Sequence, residues 1–259
     1  MRKFWNAPTD VAAAVAALAI ATSAQANHSW NNYHWARTAN PVELQVIDSV
    51  TSFWQSEFNT ALSEWGASSV LNLRVSGADE TTRIRRQCRG VAGQMRVCNS
   101  AYGKNGWLGL ATIGLDAQGH IDQGTAKMND SYSAYWADPN EKRHVMCQEV
   151  GHVFGLGHTS EDGTSQNTCM DYSKSPTSIS PNAHDYAELE TTYAHTDTYN
   201  SYAATGAATV AANVGEHPEG IPPGAVRVHA SRFEEVYVSP RPDGGRWVFH
   251  IFLAPANAH

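Results

Sequence analysis

Two histidines, a glutamate and a glutamine stand at helical spacing in the middle of the chain, and together they could bind a metal ion and move a proton. On a helix that advances about 100° per residue, Gln148 and His152 lie one turn apart on one face, and Glu149 lies beside them. His158 follows about 240° further around, so it reaches the same ion only if the chain turns back. Gly155 permits that turn. The pattern predicts a metal site.

The chemistry that suits these residue types is hydrolysis by a metal-activated water. Catalytic Zn²⁺ takes three protein ligands and keeps one position open for water, whose proton it makes easier to remove. Gln148, His152 and His158 are the predicted ligands. Glu149 is the predicted general base, which accepts the proton and then delivers it to the leaving group. Because imidazole is a better zinc ligand than an amide oxygen, Gln148 predicts a weakened affinity.

Two segments resemble a known family. Residues 148–158 resemble the metzincin zinc-protease signature His-Glu-x-x-His-x-x-Gly-x-x-His, with Gln148 in the place of the first histidine. Residues 169–172, Cys-Met-Asp-Tyr, resemble the Met-turn of that family. The resemblance implies that Met170 forms the floor of the metal site. It also implies that Tyr172 is a further ligand or a group that stabilises the oxyanion.

The same resemblance, which covers roughly residues 41–196, implies a fold and a substrate. The fold class is α+β: a zincin-like or metzincin-like twisted mixed β-sheet with an active-site helix, a Met-turn and a C-terminal helix. The activity is zinc-dependent endopeptidase cleavage of a protein or peptide. In this family an extended peptide pairs with a strand at the sheet edge. Gly109, Leu110 and Ala111 are the predicted residues of that edge.

Four cysteines in an exported chain predict two disulfides, for which three pairings exist. A short loop favours the pairing of Cys88 with Cys98. The family resemblance implies the pairing of Cys147 with Cys169, which would join the helix to the floor of the site. The alternative is that Cys147 and Cys169 are thiolate ligands of a structural zinc ion. Helical geometry disfavours that alternative, because Cys147 lies about 140° around the helix from His152.

The N-terminus has the pattern of a cleaved export signal. Arg2 and Lys3 precede an apolar run over 11–21 and a small-x-small site that ends at Ala26, so cleavage is predicted after Ala26. The run is too short for a membrane span. A secreted or periplasmic protein is therefore expected. The formal net charge of −7, which becomes one unit more negative when residues 1–26 are removed, argues against a nucleic-acid partner.

Periodicity and turn signals divide the rest of the chain into elements and domains. An irregular mature N-terminus over 27–40 precedes a catalytic domain over 41–198, an Ala/Gly/Pro-rich linker over 199–222 and a β-hairpin extension over 223–259. Residues 81–96 are arginine-rich and predict a solvated loop or hairpin. Predicted strands span 41–47, 70–75, 106–115 and about 120–128, and predicted helices span 49–66, 139–154 and 181–195. Asp116 and Asp122 flank a glycine turn that could hold Ca²⁺, although an ordinary turn is the favoured interpretation.

Two functions of different classes remain open from the sequence. The first is an exported zinc endopeptidase with an amide ligand at Gln148. The second is a catalytically impaired metzincin-fold protein that binds a peptide or another macromolecule. The presence of Glu149 favours the enzyme, because a binding protein needs no base at that position. Gln148 favours the second function.

Overall fold

The structure is a computed structural model, and it describes residues 1, 28–202, 220–256 and 258 of the 259-residue chain. The predicted signal peptide, apart from Met1, and residues 203–219 of the predicted linker lie outside the described residues. The described part of the chain is a mixed α/β structure with one sheet of eight strands and four α-helices. None of its helices combines the length and the apolar character that a membrane span requires.

The strands are β1 (Val42–Ser49), β2 (Leu71–Ala78), β3 (Gln94–Ser100), β4 (Trp107–Leu115), β5 (Ile121–Asn129), β6 (Val226–Ala230), β7 (Glu234–Pro240) and β8 (Arg246–Leu253). The helices are α1 (Gln55–Trp65), α2 (Thr82–Gln87), α3 (Pro139–Val153) and α4 (Ala183–Thr192). The strand order is β2-β1-β3-β5-β4-β8-β7-β6. Strands β2, β1, β3 and β5 are parallel to one another, and the remaining neighbours pair antiparallel. The predicted mixed sheet is confirmed, whereas the metzincin-like arrangement stays a prediction.

The C-terminal residues continue the main sheet. Strand β8 pairs with β4 along its length, and β7 and β6 follow, so three strands extend the sheet beyond the predicted catalytic domain. The expectation that Gly109, Leu110 and Ala111 lie at a sheet edge is wrong, because β8 covers that side of β4. Gly109 is opposite Phe252, Leu110 opposite Ile251, and Ala111 opposite His250.

Helix α3 carries the predicted ligands and begins where its capping residues predict. The Asp138 side chain accepts a hydrogen bond from the Asn140 backbone N–H at 2.9 Å, and Pro139 occupies the first turn. The helix packs between the sheet, at β4 and β5, and helix α1. Because it is covered on both sides, nearly all of its residues are buried and it shows little amphipathic character. It ends at Val153, and Gly155, just beyond the C-cap Phe154, has a φ of +94° in the left-handed region predicted for that residue.

The prediction of a solvated loop over residues 81–96 is wrong. Thr81 caps the short helix α2, and residues from Gln94 form β3, which lies between β1 and β5. In β3, residues Val97 to Ser100 are all buried, so alternation of polar and apolar residues is weak. Central parallel strands lack that alternation because both faces are covered. The arginines of residues 81–96 also made the segment look like an exposed one.

Both predicted disulfides, Cys88–Cys98 and Cys147–Cys169, are present, and the described cysteines include no free thiol. The second disulfide connects α3 to the 169–172 turn. Next to it, α3 approaches the turn closely: a Cβ atom at Gly151 would lie 2.6 Å from Met170 Sδ. Met170 therefore lies directly against the helix that carries His152.

Removing the Cys147–Cys169 disulfide is expected to weaken both the fold and the site. The double substitution Cys147→Ala/Cys169→Ala opens a link across 22 positions, and chain entropy gives a loss of about 3 kcal/mol of unfolding free energy. Urea denaturation measures the effect on the fold, and titration with zinc, the metal that the sequence predicts, measures the effect on the site. The control is Cys88→Ala/Cys98→Ala, which should destabilise the protein by a similar or smaller amount and leave zinc affinity unchanged. Equal zinc affinities in both variants would contradict a positioning role for the Cys147–Cys169 link.

Candidate metal centre

Three histidine side chains converge at the C-terminal end of α3: His152 from the helix, His158 from the segment after it, and His250 from β8. Their candidate ligand nitrogens all lie within 4.8 Å of one another. The Nε2 atoms of His152 and His158 are 3.0 Å apart, and the rings of His152 and His250 have centroids 3.8 Å apart. The fold thus brings two predicted ligands together with a third imidazole that the sequence did not indicate.

The hydrogen-bond partners of His152 and His158 leave both Nε2 atoms free to bind a cation. His152 Nδ1 lies 2.8 Å from the Leu156 carbonyl oxygen, which can only accept, so Nδ1 carries the proton. His158 Nδ1 lies 3.3 Å from Glu234 Oε2 and donates in the same way. Two Nε2 lone pairs then face each other, an arrangement that a shared metal ion stabilises. An imidazole whose other nitrogen donates to an oxygen is the usual form of a metal ligand.

His250 is held by carboxylates on both sides. Its Nδ1 lies 3.4 Å from Glu149 Oε2, and its Nε2 lies 2.8 Å from Glu234 Oε2 and 2.9 Å from the Tyr172 hydroxyl. The same Tyr172 hydroxyl lies 3.1 Å from Glu234 Oε2. Tyr172, predicted from the sequence as a site residue, therefore contacts the histidine cluster through Glu234 and His250.

Burial and local charge set different protonation preferences within the cluster. Burial lowers the pKa of His158 to about 4 despite the opposing effect of Glu234. Burial also lowers the pKa of His152 well below its ordinary value, and His250 and His158 lower it further. Burial opposes a charge on His250 as well, but Glu149 and Glu234 outweigh it and raise its pKa to about 9. His152 and His158 are thus neutral at neutral pH, whereas a metal must displace a proton from His250.

Glu149 is fully buried beside His250. Burial raises the pKa of Glu149, although the charge on His250 opposes that shift. Its Oε1 atom accepts no hydrogen bond from the described residues. The space for its side chain exists because residue 109 has none: a Cβ atom at Gly109 would lie 2.5 Å from Glu149 Oε1. Gly109, predicted as a substrate contact, thus has a clear role in accommodating Glu149.

Adding a methyl group at Gly109 is expected to displace Glu149. Gly109→Ala should destabilise the protein by about 1–3 kcal/mol, the usual effect of overpacking. It should also lower the hydrolytic activity that the sequence predicts, without removing the predicted zinc. The matched control is Gly77→Ala in β2, where an added Cβ meets no atom within 4 Å. Denaturation and zinc analysis of both variants provide the measurement. If Gly109→Ala behaves like Gly77→Ala, the close packing of Glu149 against β4 is not important.

Gln148 is buried and its amide nitrogen contacts the 169–172 turn. Nε2 donates to the carbonyl oxygens of Cys169 and Asp171, each at 2.8 Å. Its Oε1 atom is buried and has no hydrogen-bond partner among the described residues. The amide thus stabilises the packing of α3 against the turn, and the prediction that Oε1 is a metal ligand stays a prediction. His144, one helical turn earlier, also contacts the Asp171 carbonyl oxygen, at 2.8 Å.

A cavity of about 440 Å³ opens onto the histidine cluster. Its walls come from the N-terminal segment, the chain after α3, and strands β6 to β8. The lining residues are His28, Ser29, Trp30, Asn31, His152, Gly157, His158, Glu161, Val228, His229, Glu234, Val236 and His250. A ligand can therefore approach the histidines from the side of the N-terminal segment and the C-terminal strands, both of which lie outside the region of family resemblance.

Both aspartates of the possible calcium site have protein partners. Asp116 Oδ1 accepts hydrogen bonds from the Gln118 and His120 backbone N–H groups, each at 2.9 Å, as in an ordinary turn. Asp122 forms an ion pair with Arg241 at 2.9 Å. These protein partners agree with the turn interpretation that the sequence favoured.

The sequence did not predict His250 or Glu234 as site residues. A signal was present: His250 interrupts the apolar run Trp247-Val-Phe-His-Ile-Phe252, and a titratable residue in such a run is unusual. No protein-family model matches this sequence, and a search of curated proteins finds no significant relative.

Proposed function

We propose that the protein is a zinc-dependent hydrolase whose metal is held by His152, His158 and His250, with Glu149 as general base. The observation that carries this proposal is the facing pair of Nε2 atoms, 3.0 Å apart, on two histidines whose Nδ1 atoms face oxygen acceptors. Three imidazoles are an established catalytic donor set for zinc. Peptide-bond hydrolysis is the activity that the resemblance of residues 148–158 implies.

The chain's own residues account for the rest of the chemistry. A bound zinc would supply a Lewis acid and lower the pKa of water. Glu149 and His250 form a buried pair that can hold a proton. Glu234 Oε2 accepts a hydrogen bond from His158 Nδ1 and so orients that ring, whereas its contact with His250 Nε2 would give way to a bound metal. Burial raises the pKa of Tyr172 well above its ordinary value, so its hydroxyl remains a hydrogen-bond donor.

A second candidate function is a metzincin-fold protein that binds a macromolecule without efficient catalysis. Two observations favour it: β8 occupies the side of β4 on which a peptide was expected to pair, and Glu149 is fully buried beneath that pair of strands. In this case the cavity would be a binding site, and the histidine cluster would hold a metal or a proton network without turnover.

Cleavage assays on the zinc-loaded full chain distinguish the two candidates. The enzyme is expected to hydrolyse an unstructured protein, to lose that activity with a chelator and to regain it when zinc is restored. A protein that binds zinc at the histidine cluster but hydrolyses neither unstructured proteins nor peptides would exclude the enzyme and favour the binding protein. Absence of zinc at this cluster would overturn the proposed function.

A further inference from the structure

A second group of metal-ligating side chains lies away from His152, His158 and His250 and shares no residue with them. It consists of His34 in the N-terminal segment, His120 just before β5, and His195 and Asp197 after α4. We call it the Asp197 cluster. The candidate ligand atoms of His34, His195 and Asp197 lie within 4.8 Å of one another. His120 Nε2 lies 3.3 Å from the same Asp197 Oδ1 atom.

The distances among His34, His195 and Asp197 suit three ligands of a tetrahedral ion. Zinc bonds to nitrogen and oxygen are about 2.0–2.2 Å long, so neighbouring ligand atoms around a tetrahedral zinc are about 3.3–3.6 Å apart. His34 Nε2 and His195 Nε2 are 3.2 Å apart. Asp197 Oδ1 lies 3.7 Å from His34 Nε2 and 3.6 Å from His195 Nε2.

Hydrogen bonds around the Asp197 cluster fix the tautomers of His34 and His120, so that an unprotonated nitrogen of each ring faces the centre of the cluster. His34 Nδ1 lies 2.8 Å from the Asn32 carbonyl oxygen, so it donates and leaves Nε2 unprotonated in the neutral ring. His120 Nδ1 lies 2.7 Å from the Tyr199 hydroxyl. Since that hydroxyl donates to Asp116, it accepts from His120 Nδ1, and His120 Nε2 is also unprotonated.

The carboxylate of Asp197 is oriented in the same way. Its Oδ2 atom accepts the Arg37 backbone N–H at 2.8 Å, which leaves Oδ1 to face the histidines. Three acceptors, His34 Nε2, His120 Nε2 and Asp197 Oδ1, therefore converge in a largely buried site. Only a cation or additional protons can stabilise them together.

We propose that the Asp197 cluster is a structural zinc site with His34, His120, His195 and Asp197 as its four ligands. Imidazole nitrogen with one carboxylate oxygen is a donor set suited to zinc and to other late first-row divalent metals. Four protein ligands leave no open position, which is typical of structural sites. The ion joins the N-terminal segment and the β4–β5 turn to the chain after α4, three segments that are far apart in the sequence.

Zinc stoichiometry tests the proposal independently of hydrolytic activity. Titration of the metal-free full chain with zinc alone is expected to give two equivalents. His152→Ala removes the equivalent at the histidine cluster near α3, and His195→Ala removes the other. The side chain of His195 is 54% exposed, so its substitution should not prevent folding. If His195→Ala binds as many equivalents of zinc as the wild type, the proposal is overturned. Protons, and not a metal ion, would then hold the Asp197 cluster together.

Thermal unfolding of variants that lack the first site gives a second readout. Zinc should raise the unfolding temperature of His152→Ala, because binding to the native state stabilises it. It should not raise the unfolding temperature of His152→Ala/His195→Ala. Equal zinc-induced shifts in the two variants would overturn the second site. His195→Ala tests the proposed function separately. It lacks only the Asp197 cluster, so it should retain zinc at His152, His158 and His250.

Discussion

Replacing His250 by alanine is expected to abolish tight zinc binding at the cluster near α3. The imidazole of His250 is the third to converge there, and it comes from β8 opposite Ala111. Loss of an orienting group around a metal reduces affinity about 10–100-fold, and loss of a direct ligand should exceed that range. Competition with a zinc-binding dye measures the affinity, and it should be performed in His195→Ala so that only one site reports.

The comparison variant for His250 is Gln148→Ala, because both residues are candidates for the third ligand. Gln148→Ala removes two hydrogen bonds to the 169–172 turn and should lower stability by about 1–3 kcal/mol with a smaller change in zinc affinity. If Gln148→Ala loses zinc and His250→Ala keeps it, the ligand set predicted from the sequence is correct. If His250→Ala keeps zinc and becomes more active, β8 blocks the site and His250 is not a required ligand.

Substituting Glu149 by glutamine is expected to have the largest effect on catalysis. Glutamine has nearly the same shape as glutamate but cannot accept a proton at neutral pH. Loss of a general base reduces the rate by about 10²–10⁴-fold. Because Glu149 is not one of the three proposed ligands, zinc should remain bound when it is saturating, with an affinity up to about 10–100-fold lower since Glu149 orients His250. The measurement is the cleavage rate of a peptide at saturating zinc, together with zinc content.

The control for Glu149 is Glu64→Gln, which removes the same charge from α1 beside the same helix. Glu64 pairs with Arg143 at 2.7 Å and lies outside the histidine cluster. Its substitution should leave both zinc content and cleavage rate nearly unchanged. A Glu149→Gln variant as active as the wild type would contradict the proposed base, and one that loses its zinc would assign Glu149 to metal binding.

Features encoded over a few residues were predictable from the sequence. The capped start of α3 at Asp138, the turn at Gly155 just after the helix and the approach of His158 to His152 depend on capping, on helical geometry and on glycine's conformational freedom. The two disulfides were also predicted. In contrast, the sequence did not predict β3 or the pairing of β8 with β4. Buried strands lack a periodic signal, and the spacing of residues along a strand does not indicate which strand it pairs with.

The sequence by itself determined that Glu149 and His152 lie on one helix, and that a turn at Gly155 can bring His158 back to them. The resemblance of residues 169–172 to a Met-turn implied that Met170 and Tyr172 lie near that helix. Only the tertiary structure decided that His250 joins them, because 101 positions separate it from Glu149 and the register of β8 against β4 places it there. The Asp197 cluster also depends on the tertiary structure. Its ligands come from segments that long-range packing brings together, and no local pattern in the sequence records that contact.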